Sequence, residues 1–260
     1  MNVKLTTVTP EWAEETLKKN IGNRPLNIQH VDKLAKEMTN GRWKVNGDTI
    51  CLNGSRVIDG QHRLHAVMQS GITIETLVVE GLSSDVFDTK DVGKRRSAGD
   101  TLGVAGEQNA CRLAAALILI DKYFTGRVEK SVSYSNTEME ELLLKYPESR
   151  QSIQTSMGTK GLITPSVLDA CHYLFSRKDP VLADQFVDKV LRGISLTEGS
   201  PWYVLRERLV NNSLSKAKLK KPYLMALCIK AWNHARAGTT VKILKFSQDG
   251  ANTEDFPIVR

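Results

Sequence analysis

The chain is expected to be an α+β protein: a small α/β module over residues 1–105, then a basic α-helical domain over residues 106–260. Three observations predict this. Helix and strand signals alternate through the first part. From about Ala98 onward the apolar spacing is helical. The positive charge is concentrated in the second part: residues 1–105 carry 14 Lys and Arg against 13 Asp and Glu, whereas the whole chain carries 36 against 29. The 260 residues suffice for one large domain or two small ones with a buried core.

Thr9-Pro10 reads as a helix start, with Pro at the first helical position and Glu11, Glu14 and Glu15 near the positive end of the dipole. Gly22-Asn23-Arg24-Pro25 breaks the chain. Asn27 is placed to cap a second helix whose apolar residues Ile28, Val31, Leu34, Ala35 and Met38 share one face, and Asn40-Gly41 ends it. Thr49 to Leu52 is a short strand, Asn53-Gly54 a hairpin turn, and Arg56-Val57-Ile58 the return strand. A helix follows Asp59-Gly60 and runs to Gly71, and Ile72 to Val79, rich in β-branched residues, is another strand. Beyond Ala98 the helical candidates are 107–124, 137–145, 166–175, 181–191, 202–209 and 223–237, punctuated by Pro147, Pro165 and Pro180, with a late strand over 241–246.

Composition narrows the function. A hydrophobic fraction of 41% and a charged fraction of 25% are ordinary for a soluble globular protein. The longest apolar stretch, Leu113 to Ile120, is too short to span a bilayer, and the first residues lack the apolar run of a secretory signal, so a cytoplasmic protein with no membrane partner is expected. Cys51, Cys111, Cys171 and Cys228 are scattered without C-x-x-C spacing, which disfavours zinc ribbons and redox pairs. The net charge of +7 suits polyanions, and equally a merely soluble basic surface.

One segment concentrates chemistry: Asp59-Gly60-Gln61-His62-Arg63, where an apolar strand runs into a helix. Gly60 lets backbone approach a ligand closely. The first N–H groups of a helix lack intrahelical partners and attract anions. Arg63 offers a planar fork for phosphate oxygens, and Gln61 and His62 add donors. Asp59 can cap the helix, bind a metal ion or accept a proton. Each residue alone has a structural reading: Asp59 as a cap, His62 as a donor to backbone, Arg63 as a surface arginine, and His65 as a structural residue. Their convergence on one turn favours a phosphate site.

The stretches RPLNIQHVDKLAKEMTNGRW and NGDTICLNGSRVIDGQHRLHAVMQSG resemble the N-terminal domain of the ParB/sulfiredoxin superfamily, in its subgroup with a DGQHR box, over roughly residues 20–82. The resemblance implies a ParB/sulfiredoxin-like module binding ATP or CTP with Mg²⁺. It implies phosphate contacts from Gly60, Gln61, His62 and Arg63, and a nearby segment bearing Asn23 and Arg24. Kinase members use a carboxylate to activate a hydroxyl, a role that would map onto Asp59, as would the metal. Sulfiredoxins carry Cys where this chain has Gln61, which argues against thiol-dependent repair. Partition-type members carry a different box and a helix-turn-helix that is not evident here.

Two further segments bear charge. Phe87 to Asp100 resembles an F-D-x-x-D-x-G-x-x-R element of phage and bacterial relatives, with Asp88 and Asp91 placed to hold Mg²⁺ through water and Lys94, Arg95 and Arg96 to touch phosphates; a solvated linker is the alternative. Gly93-Lys94 lacks the upstream Gly of a P-loop. Lys216 to Lys221, with Lys218, Lys220 and Lys221 foremost, lies near Arg206, Arg208 and the aromatics Trp202, Tyr203, Tyr223 and Trp232, which can stack on bases or belong to a core. The leading expectation is a nucleotide-binding protein that associates with DNA. A nucleoside triphosphatase or phosphotransferase, and a non-catalytic protein-interaction scaffold, are the alternatives.

Overall fold

The computed structural model describes residues 1–23, 25–54, 56–83, 97–158, 161–247 and 253–260. The protein is mixed α and β, and it divides into two units, Met1–Arg95 and Arg96–Arg260.

The first unit runs β1 (Asn2–Val8), α1 (Pro10–Leu17), α2 (Ile28–Thr39), β2 (Thr49–Asn53), β3 (Arg56–Asp59), α3 (Gln61–Ser70) and β4 (Ile74–Glu80). Its helix starts follow their caps. The Thr9 side chain accepts from the Trp12 N–H with Pro10 at the first helical position, and the Asn27 side chain accepts from the His30 N–H. The sheet order is β1-β4-β2-β3. β1 lies antiparallel to β4, from Asn2 opposite Glu80 to Val8 opposite Ile74. β2 and β3 form the antiparallel hairpin, and β2 lies parallel to β4. Alternation along each strand separates two faces. Ile50, Leu52, Val57 and Val78 join the helices' Ala13, Val31, Met38 and Leu64 in the main core, whereas Cys51, Ile58 and Val79 form a small cluster on the other face.

The second unit holds α4 (Ala98–Val104), α5 (Ala110–Phe124), α6 (Asn136–Lys145), α7 (Ser149–Thr155), α8 (Pro165–Ser176), α9 (Pro180–Phe186), α10 (Pro201–Leu214) and α11 (Lys221–Arg236). α9 continues as a π-helical stretch, Val187–Arg192, whose carbonyls at Val190 and Leu191 accept from Arg206. Residues 166–175 of α8 are buried all round, so α8 is the central helix. Phe175 stacks on Trp232 with centroids 4.3 Å apart, and Phe186 and Trp202 pack beside them.

Three expectations are corrected. No strand forms over 241–246; Leu244 and Phe246 bury their side chains from irregular chain instead. The helix expected over 107–124 begins only at Ala110, after Asn109 in left-handed backbone. α4, on the N-terminal side of the boundary drawn at 105, packs on α5 in the second unit. Gly99 permits this approach, because a Cβ there would lie 2.6 Å from the Cys111 sulfur.

Polar networks tie the second unit together. The Asp169 carboxylate is fully buried and receives Arg112 through Nε and Nη2, both at 2.6 Å, and the hydroxyl of Ser156. Asp121, 4% exposed, accepts from the hydroxyls of Tyr134 (2.8 Å) and Tyr146 (3.2 Å) and lies against Arg127 and Lys145. Burial, then the bond to Asp121, pushes the Tyr134 phenol far above its usual range. Removing one member of a buried pair leaves the other charge uncompensated. Asp169→Ala is expected to destabilise the protein by about 3–5 kcal/mol, toward the lower end because Arg112 keeps some solvent contact. Urea denaturation followed by circular dichroism would measure it.

Candidate functional site

The hairpin β2–β3 delivers the chain to Asp59, and Gly60 turns it into α3. Gly60 has φ +103°, a conformation closed to side chains, and a Cβ there would sit 3.1 Å from the Ile50 Cα. The turn therefore needs glycine for two reasons at once: its backbone angle and its contact with β2. Gly60 is also the N-cap of α3, and no side chain caps that end.

Asp59 is not the cap. Its Oδ1 accepts from the Gly60 N–H at 2.6 Å, and its Oδ2 lies 3.3 Å from Arg63 Nη2. Arg63 stands on the first turn of α3 and donates from Nη2 to the Thr49 carbonyl at 2.6 Å; Nη1 lies 3.6 Å from Asp48 Oδ2. The Arg63 side chain is 16% exposed, and its buried Nε has no hydrogen-bond partner among the described residues. The guanidinium thus joins the start of β2 to the end of β3, with the Asp59 and Asp48 carboxylates beside it.

Gln61 and His62 turn inward, at 6% and 7% exposure. The Gln61 Oε1 accepts from Asn20 Nδ2 at 3.1 Å. The Asn20 Oδ1 accepts from Asn23, whose amide also donates to the Val57 carbonyl at 2.8 Å. The His62 Nε2 accepts from the Asn27 N–H at 3.1 Å, and its ring lies 5.1 Å from that of His30. An accepting Nε2 leaves the proton on Nδ1. Gln61 and His62 thus accept from Asn20 and Asn27 and tie those residues to α3. His65, one turn on, is partly buried, and desolvation lowers its pKa.

Asn23 therefore meets the box through Asn20 and Val57, whereas Arg24, Asp88, Asp91, Lys94, Arg95 and Arg96 lie outside the described residues. Asn20, Asp48 and the Thr49 carbonyl were missed by sequence reasoning. Asp48 had one signal, the turn composition of Asn46-Gly47; Asn20 had none. A divalent cation at Asp59 would share its oxygens with the Gly60 N–H at 2.6 Å and Arg63 Nη2 at 3.3 Å. No group of three or more His, Cys, Asp or Glu able to hold a metal ion occurs among the described residues.

In the second unit Lys218 donates to the Asn212 (3.1 Å) and Ser213 carbonyls, satisfying the C-terminal end of α10. Lys220 and Lys221 are exposed at the start of α11, where the dipole disfavours cations. Trp202 and Trp232 belong to the core, at 4% and 0% exposure, and cannot stack on bases; Tyr203 and Tyr223 are half-buried. His172 bonds Ser152 through Nδ1 (2.9 Å) and Asp184 through Nε2 (3.0 Å). This has the composition of a hydrolytic triad turned inside out: the serine is buried and the carboxylate faces solvent, so no substrate carbonyl can reach the hydroxyl.

No protein family, curated protein or solved structure matches this chain. No helix among the described residues is long and apolar enough to cross a membrane.

The geometry at Gly60 carries a direct consequence. Gly60→Ala is expected to cost about 1–3 kcal/mol from backbone strain, with the overlap against Ile50 added to it. Chemical denaturation of the full chain would measure the loss, and an unchanged midpoint would contradict the described turn.

Proposed function

We propose that the first unit is a ParB/sulfiredoxin-like module that binds a phosphate group at the start of α3, with ATP or CTP as the nucleotide, in a protein that associates with DNA. One observation carries this reading. A left-handed glycine opens a helix that no side chain caps, and although Gly60, Gln61 and His62 are buried there, Arg63 on its first turn keeps 16% of its side chain exposed beside the exposed Asp48. The Asp59 and Asp48 contacts to the guanidinium, at 3.3 and 3.6 Å, are long for charge-assisted bonds, and a phosphate oxygen would have to displace them against the repulsion of both carboxylates. The Thr49 carbonyl holds the guanidinium in place meanwhile. Lys220 and Lys221, exposed where they weaken their own helix, supply the basic surface for a nucleic-acid backbone.

A second reading has its own observation. Gln61 and His62 spend their side chains holding residues 20–27, which suits a box kept as a structural clamp in a protein-interaction scaffold. An NTPase or phosphotransferase would need Asp59 free to orient a nucleophile, and its carboxylate is engaged by Gly60 and Arg63.

Calorimetric titration with ATP and CTP, with and without Mg²⁺, separates these readings. Saturable binding is expected, weakened at least tenfold, about 1.4 kcal/mol, by Arg63→Ala and less by Arg63→Lys. Absence of binding, or equal binding by Arg63→Ala, would favour the clamp. Phosphate release with turnover would favour the enzyme. For DNA, Lys220→Glu with Lys221→Glu is expected to weaken binding and to flatten its dependence on salt; an unchanged salt slope would remove those lysines from the interface.

A further inference from the structure

The second unit contains a cavity of about 660 Å³ where the C-terminal end of α5, the following turn, the end of α8 and residues 256–259 meet. It is within the range that holds small organic ligands. Its walls are mostly apolar, with Phe124, Leu174, Phe256 and Ile258 among them. Phe124 is 50% and Ile258 73% exposed, so a substantial apolar surface faces the opening. Three cations stand among the lining residues, Lys130, Arg177 and Lys178, with Glu129 as the one acid. Arg177 is held by its contact with the Tyr173 hydroxyl at 3.3 Å and by the Tyr173 ring beneath it.

We propose that this cavity binds a small organic carboxylate with an apolar body, an acyl chain or an aryl group, whose head lies against Lys130, Arg177 and Lys178. Two observations select that class. The charge surplus favours an anionic head over a neutral or cationic one. Among the lining residues no Ser, Thr, Asn, Gln or His is present, and the Tyr123 oxygen already accepts from the Val259 N–H at 2.8 Å, so little can read the edge of a base or the hydroxyls of a sugar.

The cations have a competing structural use, since two helices end here and cations suit helix C-termini. Part of each end is already satisfied by backbone. The Thr125 N–H donates to Asp121, Arg127 to Lys122, and both Lys178 and Asp179 to Phe175. Even with Glu129 and about half a unit of negative charge from each helix end, the balance at the mouth remains positive.

The inference is independent of the β3–α3 junction. It is tested by calorimetric titration of the full chain with dodecanoate below its micelle concentration, 4-phenylbutanoate, dodecyltrimethylammonium and AMP. One of the two carboxylates is expected to saturate a single site, and which one does so identifies an acyl or an aryl body. The ammonium of matched tail and AMP are expected to bind at least tenfold more weakly. Lys130→Glu with Lys178→Glu, both on exposed residues, is expected to weaken carboxylate binding at least tenfold with an unchanged thermal transition. Phe124→Ser is expected to weaken it severalfold. The proposal is overturned if neither carboxylate saturates, if AMP or the ammonium binds as tightly, or if the double charge reversal leaves the carboxylate affinity unchanged.

Discussion

The close approach of Gly60 to Ile50 governs the first unit. Three elements meet there: β2 passes beneath, β3 ends, and α3 begins. Because an added Cβ would meet the Ile50 Cα and Cβ, at 3.1 and 3.3 Å, as well as its Cγ1, a change of Ile50 rotamer cannot relieve it fully. With the turn fixed, Arg63 falls within reach of Thr49 and Asp59, and Gln61 and His62 fall toward residues 20–27. The polar box is thus a consequence of one tight turn as much as a set of separate residues.

The same turn explains a tension in the site. The phosphate role proposed for this turn asks donors to face outward, whereas tying Asn20 and Asn27 to the box asks side chains to face inward. The protein divides the work. Gln61 and His62 face inward, whereas Arg63 bridges the start of β2 and the end of β3 and keeps 16% of its side chain exposed. Asp59 and Asp48 balance the guanidinium at an edge that still meets solvent, so the charge is neither stranded nor fully neutralised.

Local signals made most of the first unit legible. Thr9-Pro10, Asn27, Asn53-Gly54 and Asp59-Gly60 each mark a boundary through a physical requirement of backbone or cap. β1 was missed because its side chains are largely exposed and its order comes from pairing with β4, a long-range partner that no local pattern records. The strand expected over 241–246 failed for the converse reason: Leu244 and Phe246 alternate as in a strand, yet they pack on helices. At the site, sequence located the turn correctly but not the direction of its side chains, because Asn20 lies 41 residues from its partner Gln61. The lysine cluster divided similarly, since the capping role of Lys218 depends on where α10 stops.

The hub at Asp121 bears on the chain between α5 and α6. That connection has no helix or strand to define its path, but Arg127 and Tyr134 fasten it to one buried carboxylate near both of its ends. Val128, Glu129 and Lys130 lie between those two anchors. This flank of the cavity is preorganised by polar bonds rather than by apolar packing alone, so a guest entering it would lose little binding free energy to the entropy of ordering a loop.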